Sequence, residues 1–232
     1  MKKIILIALF TAYAFSQEVY ATFSVEASKR ANLAFNISGI VEKVNADIGT
    51  FVKKGDVIAK LKSDDSKANV ELAKVVLKYA KKDLDRAKRA SSALDKAKLD
   101  MFEYKYEAAL AKLNLAKATY EKSFLKAPFD GIITAKYIEV GDGISAMPPK
   151  TAFKIETIHK KKLILEFDQS YFNIVKKGDI FRYSFDGSKK EYRAKISKIY
   201  PTINQLTRKA KAEVEVLDIP SGLFGTGYIE VK

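Results

Sequence analysis

Between residues 66 and 123 the chain carries neither Gly nor Pro, and its apolar residues recur in steps of three and four. Val70, Leu77 and Leu84 fall seven apart, with Ala73, Ala80 and Ala87 three residues after each. A second series follows: Leu99, Tyr106, Leu113 and Tyr120, with Phe102, Ala109 and Ala116 three after each. This period predicts helices with an apolar seam. The two series differ by one residue in phase, so the seam does not run on continuously. The break falls near Ala90-Ser91-Ser92, which predicts a reversal and hence an antiparallel hairpin. Ser92 can cap the second helix, with Asp95 three residues later returning the capping-box contact. Ser63, Asp64 and Asp65 suit the start of the first. Small Ala layers against large Leu and Tyr layers let the helices approach closely, and each arm would run roughly 40 Å. The competing reading is one unbroken helix, but the chain must return to complete the β-pattern that flanks this segment.

That flanking pattern repeats. Gly39-Ile40-Val41 is followed by Gly49, Val52 and Leu61, and Gly131-Ile132-Ile133 by Gly141, Ile144 and Phe153, each pair offset by 92 positions. Short β-rich runs punctuated by Gly read as strands with tight turns at Gly39, Gly49, Gly55, Gly131 and Gly141. Two such half-motifs predict a small sandwich of quasi-equivalent halves. The echo is imperfect: Met147 stands where the first copy has Gly55, and Pro148-Pro149 has no counterpart. After Ile158 the period becomes two, in Leu163/Leu165/Phe167, Phe181/Tyr183/Phe185, Tyr192/Ala194/Ile196 and Ala212/Val214/Val216. Those are half-buried antiparallel strands, with a turn at Asp186-Gly187 and a short helix from Asp168 to Val175, and they predict a small barrel or sandwich. Lys176-Lys177-Gly178-Asp179 repeats the turn Lys53-Lys54-Gly55-Asp56.

The first residues read as a processing signal. Lys2 and Lys3 precede the apolar run Ile4 to Phe10, and small residues follow at cleavage-like spacing, Ala14-x-Ser16 or Val19-x-Ala21. The run is short of the roughly 20 residues that span a bilayer as a helix. Cys is absent, so an exported fold here rests on burial and strand pairing, with no thiolate for catalysis or metal binding. The net charge is +14, but the lysines are spread along the helices in pairs with Glu or Asp. A solvated basic face meeting an acidic partner or anionic lipid fits better than nucleic acid, which export puts out of reach. His159, the sole histidine, lies beside Lys160-Lys161-Lys162 and reads as linker; no cluster builds a metal site and no catalytic triad is visible. No cofactor is expected. Asp95-Lys96-Ala97 resembles a lipoylation site, but it falls in the first turn of a helix rather than at a β-hairpin tip.

Taken together, Gly39-Ile40-Val41 through Gly49, Lys54-Gly55-Asp56, the hairpin, Ala127-Pro128-Phe129-Asp130-Gly131-Ile132-Ile133 and Val140-Gly141-Asp142 resemble the periplasmic adaptor (membrane fusion) proteins of tripartite efflux pumps. Pro201, Thr207-Arg208 and Gly222-Leu223-Phe224-Gly225-Thr226-Gly227 are similar to the end of that family's β-barrel. The resemblance implies an α+β multidomain chain. A lipoyl/biotinyl-like β-sandwich is split by an α-helical coiled-coil hairpin and followed by a small β-barrel. The expected boundaries are a signal peptide over 1–21, sandwich halves over 22–63 and 124–157, the hairpin over 64–123 and the barrel over 158–232. It further implies a non-enzymatic periplasmic subunit joining an inner-membrane transporter, of the proton-driven RND type, to a TolC-like outer-membrane channel, with copies assembled in a trimeric or hexameric ring. An ABC exporter or type I secretion system is the alternative setting. Family hairpins that dock on such channels often carry Arg, then Leu four residues on, then Ser seven further. Leu84 and Ser91 fit, the Arg position is Ala80, and Arg86 and Arg89 lie elsewhere. The expected docking tip is Leu84, Arg86, Arg89, Ser91, Ser92 and Leu94. The chain ends directly after the barrel, leaving no residues for the membrane-proximal domain that many family members carry.

Overall fold

The computed structural model describes residues 17–90 and 95–231. Strand β1 (Gln17–Ala27) comes first, followed by β2 (Arg30–Leu33), β3 (Gly39–Val44), β4 (Phe51–Val52) and β5 (Val57–Leu61). Helices α1 (Asp64–Arg89) and α2 (Lys96–Glu121) come next. The chain then gives β6 (Phe124–Lys126), β7 (Gly131–Lys136), β8 (Gly143–Ile144) and β9 (Phe153–Glu156). It ends with β10 (Lys160–Asp168), β11 (Ile180–Phe185), β12 (Tyr192–Ile199), β13 (Lys209–Leu217) and β14 (Phe224–Val231). Two compact units result, one from residues 30–157 and one from residues 17–29 with 158–231.

The first unit holds a sandwich of two four-stranded sheets, ordered β2-β9-β7-β4 and β6-β5-β3-β8. The offset of 92 carries β3 onto β7 and β4 onto β8, and each sheet order onto the other. The hydrogen bonds repeat too. Val41 N–H donates to the Asp142 carbonyl at 2.9 Å, and Ile133 N–H to that of Thr50 at 3.0 Å. Gly49 N–H donates to Ile133 at 2.8 Å and Gly141 N–H to Val41 at 2.9 Å. The pairing of Leu61 with Phe153 is corrected by the register, which sets Val41 opposite Leu61 but Ile133 opposite Ile155. Two extra residues therefore sit in the second copy, in the interval that contains Pro148-Pro149. Ile58, Leu61, Ile133, Phe153 and Ile155, all fully buried, form the centre of the core.

Gly49, Gly55 and Gly141 are turn residues, each with φ near +90°. In all three turns the residue after the glycine returns a side-chain oxygen to the first backbone N–H: Thr50 to Asp47, Asp56 to Lys53, Asp142 to Glu139. The Gly178 turn repeats this with Asp179 and Lys176. Gly39 and Gly131, expected at turns, instead open β3 and β7. A Cβ on Gly131 would lie 2.5 Å from the Glu156 carbonyl oxygen, so close packing of β7 on β9 requires the glycine. The Ala127–Asp130 stretch is tied to the Lys53 turn. Asp130 accepts from Lys54 N–H at 2.7 Å, and the Ala127 carbonyl accepts from Gly55 N–H at 2.8 Å while Ala127 N–H donates to the Asp56 carbonyl at 2.9 Å.

The second unit is a closed six-stranded barrel, β1-β10-β13-β12-β11-β14. Its first strand corrects the expected boundaries, which gave 22–63 wholly to the sandwich and 158–232 wholly to the barrel. Val19, Ala21, Phe23, Val25 and Ala27 alternate inward with period two and are buried, as a barrel strand requires. β1 pairs with both β10 and β14, so it closes the sheet and removes two edges. Phe23 stands edge-on to Phe181, Tyr183 and Phe185 at 5.3–5.8 Å between ring centroids. Burial pushes the Tyr183 hydroxyl pKa upward. Gly225 and Gly227 make room for this cluster: a Cβ on either would strike a β11 carbonyl and the Phe23 or Phe181 ring. The helix expected over Asp168 to Val175 shortens to a 3-10 turn at Gln169–Tyr171, where Asp168 accepts from Ser170 N–H at 2.8 Å. His159 is exposed beside β10, its Nδ1 lying 2.6 Å from the equally exposed Asp218.

The helical hairpin as candidate docking site

Helices α1 and α2 have 26 residues each, close to 40 Å at about 1.5 Å per residue. The predicted seam holds residue by residue. On α1, Val70, Ala73, Leu84 and Ala87 are buried and Leu77 and Ala80 half-buried; on α2, Ala109 and Leu113 are buried and Leu99, Phe102, Tyr106, Ala116 and Tyr120 half-buried. Near the sandwich, Val70, Ala73 and Leu113 cluster with Leu77, Ala116 and Tyr120. Near the far end Lys88 meets Glu103 across the helices at 3.0 Å, which fixes them as antiparallel.

The root is held by the sandwich. β5 pairs with β6, so the two strands that lead into and out of the hairpin are neighbours. Leu61 N–H donates to the Ser123 carbonyl at 2.9 Å, and Tyr120 packs edge-on against Phe124 at 5.1 Å. The Lys60 and Lys126 ammonium groups lie 5.9 and 5.8 Å from the Phe124 ring centroid. Glu42, 2.7 Å from Lys60, raises the Lys60 pKa above its ordinary value.

At the far end, α1 finishes at Arg89 with Ala90 as its cap. Arg86, Lys88 and Arg89 crowd its last turn, where cations oppose the negative end of the helix dipole. Arg86 pairs with Asp83 at 3.2 Å and both Arg86 and Arg89 are exposed. Leu84 does not face outward: it is 7% exposed and continues the seam. It supports the tip rather than presenting a surface. Ser91, Ser92 and Leu94 lie outside the described residues. The expected cap at Ser92 is replaced by Asp95, which occupies the N-cap position of α2 without a side-chain cap bond. Ser63 likewise holds the N-cap position of α1 without one.

Leu72, Val76 and Tyr79 on α1 and Met101, Tyr104, Ala108 and Leu115 on α2 form a second stripe at helical spacing, displaced two or three positions from the seam. Its large members are exposed, Tyr104 by 71% and Leu115 by 70%. Beside the small seam residues the stripe lines two shallow grooves. One of about 400 Å³ includes Val76, Ala80, Tyr104 and Ala109; one of about 280 Å³ includes Leu72, Ala73, Leu115 and Ala116. Among the described residues no helix is long and apolar enough to cross a membrane, and no group of three or more His, Cys, Asp or Glu is placed to hold a metal.

A β-sandwich interrupted by a helical hairpin, in one chain with a six-stranded barrel, defines the membrane fusion, or adaptor, class of fold. Comparisons with known proteins agree. The family model described as "CzcB-like, barrel-sandwich hybrid domain" matches residues 29–155. The cobalt-zinc-cadmium resistance protein CzcB of Cupriavidus metallidurans is 28% identical over 134 residues, covering 50% of this chain and 26% of that protein. An uncharacterized protein of Haemophilus influenzae is 27% identical over 146 residues, 60% of this chain and 38% of its own length. The chain thus spans about a quarter to two fifths of the length of these relatives. The crystal structure of a MacA–MexA chimera carrying the Pseudomonas aeruginosa MexA α-hairpin superposes with a TM-score of 0.86 at 21% identity, over 94% of this chain and 83% of that one. The chain belongs to the CzcB-like barrel-sandwich hybrid family.

Proposed function

We propose that the chain is the periplasmic adaptor of a tripartite efflux system, bridging an inner-membrane transporter of the RND type and a TolC-like outer-membrane channel. The observation that carries this reading is the two-stripe hairpin rooted between the halves of a sandwich. One stripe holds the helices together, and the other stays available for partners. On this reading a leader within residues 1–21 directs export, and the chain acts in the periplasm. The hairpin tip, with Arg86, Arg89, Ser91, Ser92 and Leu94, meets the channel, and copies assemble in a ring around the conduit. The cargo is a small toxic compound; the name of the Cupriavidus relative puts divalent metal cations within that class.

The test replaces residues 66–123 with a short Gly-Ser linker in the intact gene and measures resistance together with folding. The expected result is loss of efflux while the β-signature and cooperative unfolding of the remaining strands persist. Undiminished efflux from a folded deletion variant would falsify the adaptor reading.

A further inference from the structure

We propose that one end of the barrel faces an anionic bilayer, which it binds through Lys176, Lys177 and Arg208 while Leu206 inserts between the lipids. This rests on the periplasmic setting proposed above. Two loops build the surface, residues 169–178 between β10 and β11 and residues 200–208 between β12 and β13. Strand direction puts both at the end where β1 starts. Gln169 N–H donates to the Arg208 carbonyl at 3.2 Å and joins one loop to the other. At the opposite end the chain passes to and from residues 30–157.

Leu206 is 96% exposed, yet its loop is firmly built. The Asn204 side-chain oxygen accepts from Leu206 N–H at 2.9 Å and from Thr207 N–H at 3.1 Å. Arg208 N–H donates to the Asn204 carbonyl at 2.8 Å, and Asn204 N–H to that of Lys209 at 3.0 Å. Ile203 packs against the barrel core. These bonds hold Leu206 out where it buries nothing of its own fold. Ile174 is exposed on the neighbouring loop. Neither loop contains Asp or Glu. Lys176, Lys177 and Arg208 are exposed, and among the described residues none of them forms an ion pair. The bordering carboxylates are engaged: Asp179 is buried and accepts from Lys176 N–H at 2.7 Å, and Asp168 accepts from Ser170 N–H at 2.8 Å. At the other end of the barrel Lys189 and Lys190 alternate with Asp186, Glu191 and Asp218, so charge of one sign belongs to a single end.

A protein partner would have to shape a socket around a leucine that stands clear of its neighbours. A bilayer offers headgroup charge and, beneath it, hydrocarbon, with no matching shape required. Each cation near an anionic surface adds about fivefold to binding, and burial of the leucine about tenfold. Four such contributions give a reversible contact.

The chain recovered from the periplasm of a Gram-negative host is floated with phosphatidylcholine vesicles, with and without phosphatidylglycerol. Binding should need the anionic lipid and weaken as salt rises. Leu206→Ser should lower partitioning about tenfold. Lys176→Gln, Lys177→Gln and Arg208→Gln together should lower it about a hundredfold. Unfolding midpoints should not move, since all four side chains are exposed. Lys189→Gln with Lys190→Gln, at the opposite end, should leave partitioning unchanged. Failure to prefer the anionic vesicles, variants that bind as the wild type does, or an equal loss from the Lys189 and Lys190 changes overturns the assignment and leaves the adaptor reading standing. Binding that requires a transporter reconstituted in the vesicles, and is lost with Leu206→Ser, gives the surface to a protein and overturns the lipid assignment. A chain found only in the cytoplasm removes the periplasmic setting and refutes both.

Discussion

The barrel and the hairpin treat apolar residues in opposite ways. In the barrel, fifteen residues from six strands close over one another together with Val175, and Phe167 and Phe181 are almost completely sealed. Among the described residues of the hairpin, Val70, Ala73, Leu84, Ala87, Ala109 and Leu113 are buried along the seam, while Leu72, Tyr79, Tyr104 and Leu115 stand in solvent. Two helices can bury one stripe each against the other and no more. Apolar surface outside that stripe does not hold the two helices together, and under the proposed function it is the face available to partners. The barrel closes on itself, whereas the hairpin keeps a second apolar stripe exposed.

Three substitutions test this contrast. Phe181→Ala removes a large buried ring beside Phe23 and Tyr183, and should lower barrel stability by about 3–5 kcal/mol. Urea unfolding should show the loss, with hydrogen exchange of the sandwich amides at β3 and β7 unchanged; equal loosening of the sandwich would show that the two units are energetically one. Leu113→Ala opens the seam and should cost about 2–3 kcal/mol, confined to the hairpin. Amides of α1 and α2 should exchange faster while those of the barrel do not, and a uniform response would contradict a locally held hairpin. Leu115→Ser alters the outer stripe alone and should change stability by no more than about 0.5 kcal/mol. Resistance conferred by the assembled pump should nevertheless fall measurably. If resistance is untouched at matched expression, the outer stripe is not a contact surface.

The same contrast explains what could be read from the residues directly. The seam was legible because coiled helices repeat a local pattern, and every predicted seam position is buried or half-buried. The sandwich was legible because one half announces the other at a fixed offset. The two extra residues near Pro148-Pro149 hid the true partner of Leu61, since an insertion in a turn leaves no trace in the alternation that follows. β1 escaped for a different reason. Its alternation from Val19 to Ala27 is plain, but barrel closure joins residues more than 130 positions apart, Phe23 with Leu165 and with Gly225, and no local pattern states such a pairing. At the tip, the family resemblance alone makes Leu84 a docking residue. Its heptad spacing makes it a seam position, and seam packing is what its burial shows.

One consequence follows from the adjacency of β5 and β6. The strands that feed the two helices are held side by side by ladder hydrogen bonds at the root, however far the helices extend beyond it. Each arm repeats every seven residues, so adding or removing one such repeat from both arms together changes reach by about 10 Å and leaves the root register untouched. The sandwich therefore acts as a fixed chuck for an interchangeable ruler. The gap such a protein can span is set by the number of repeats, independently of the fold that grips them.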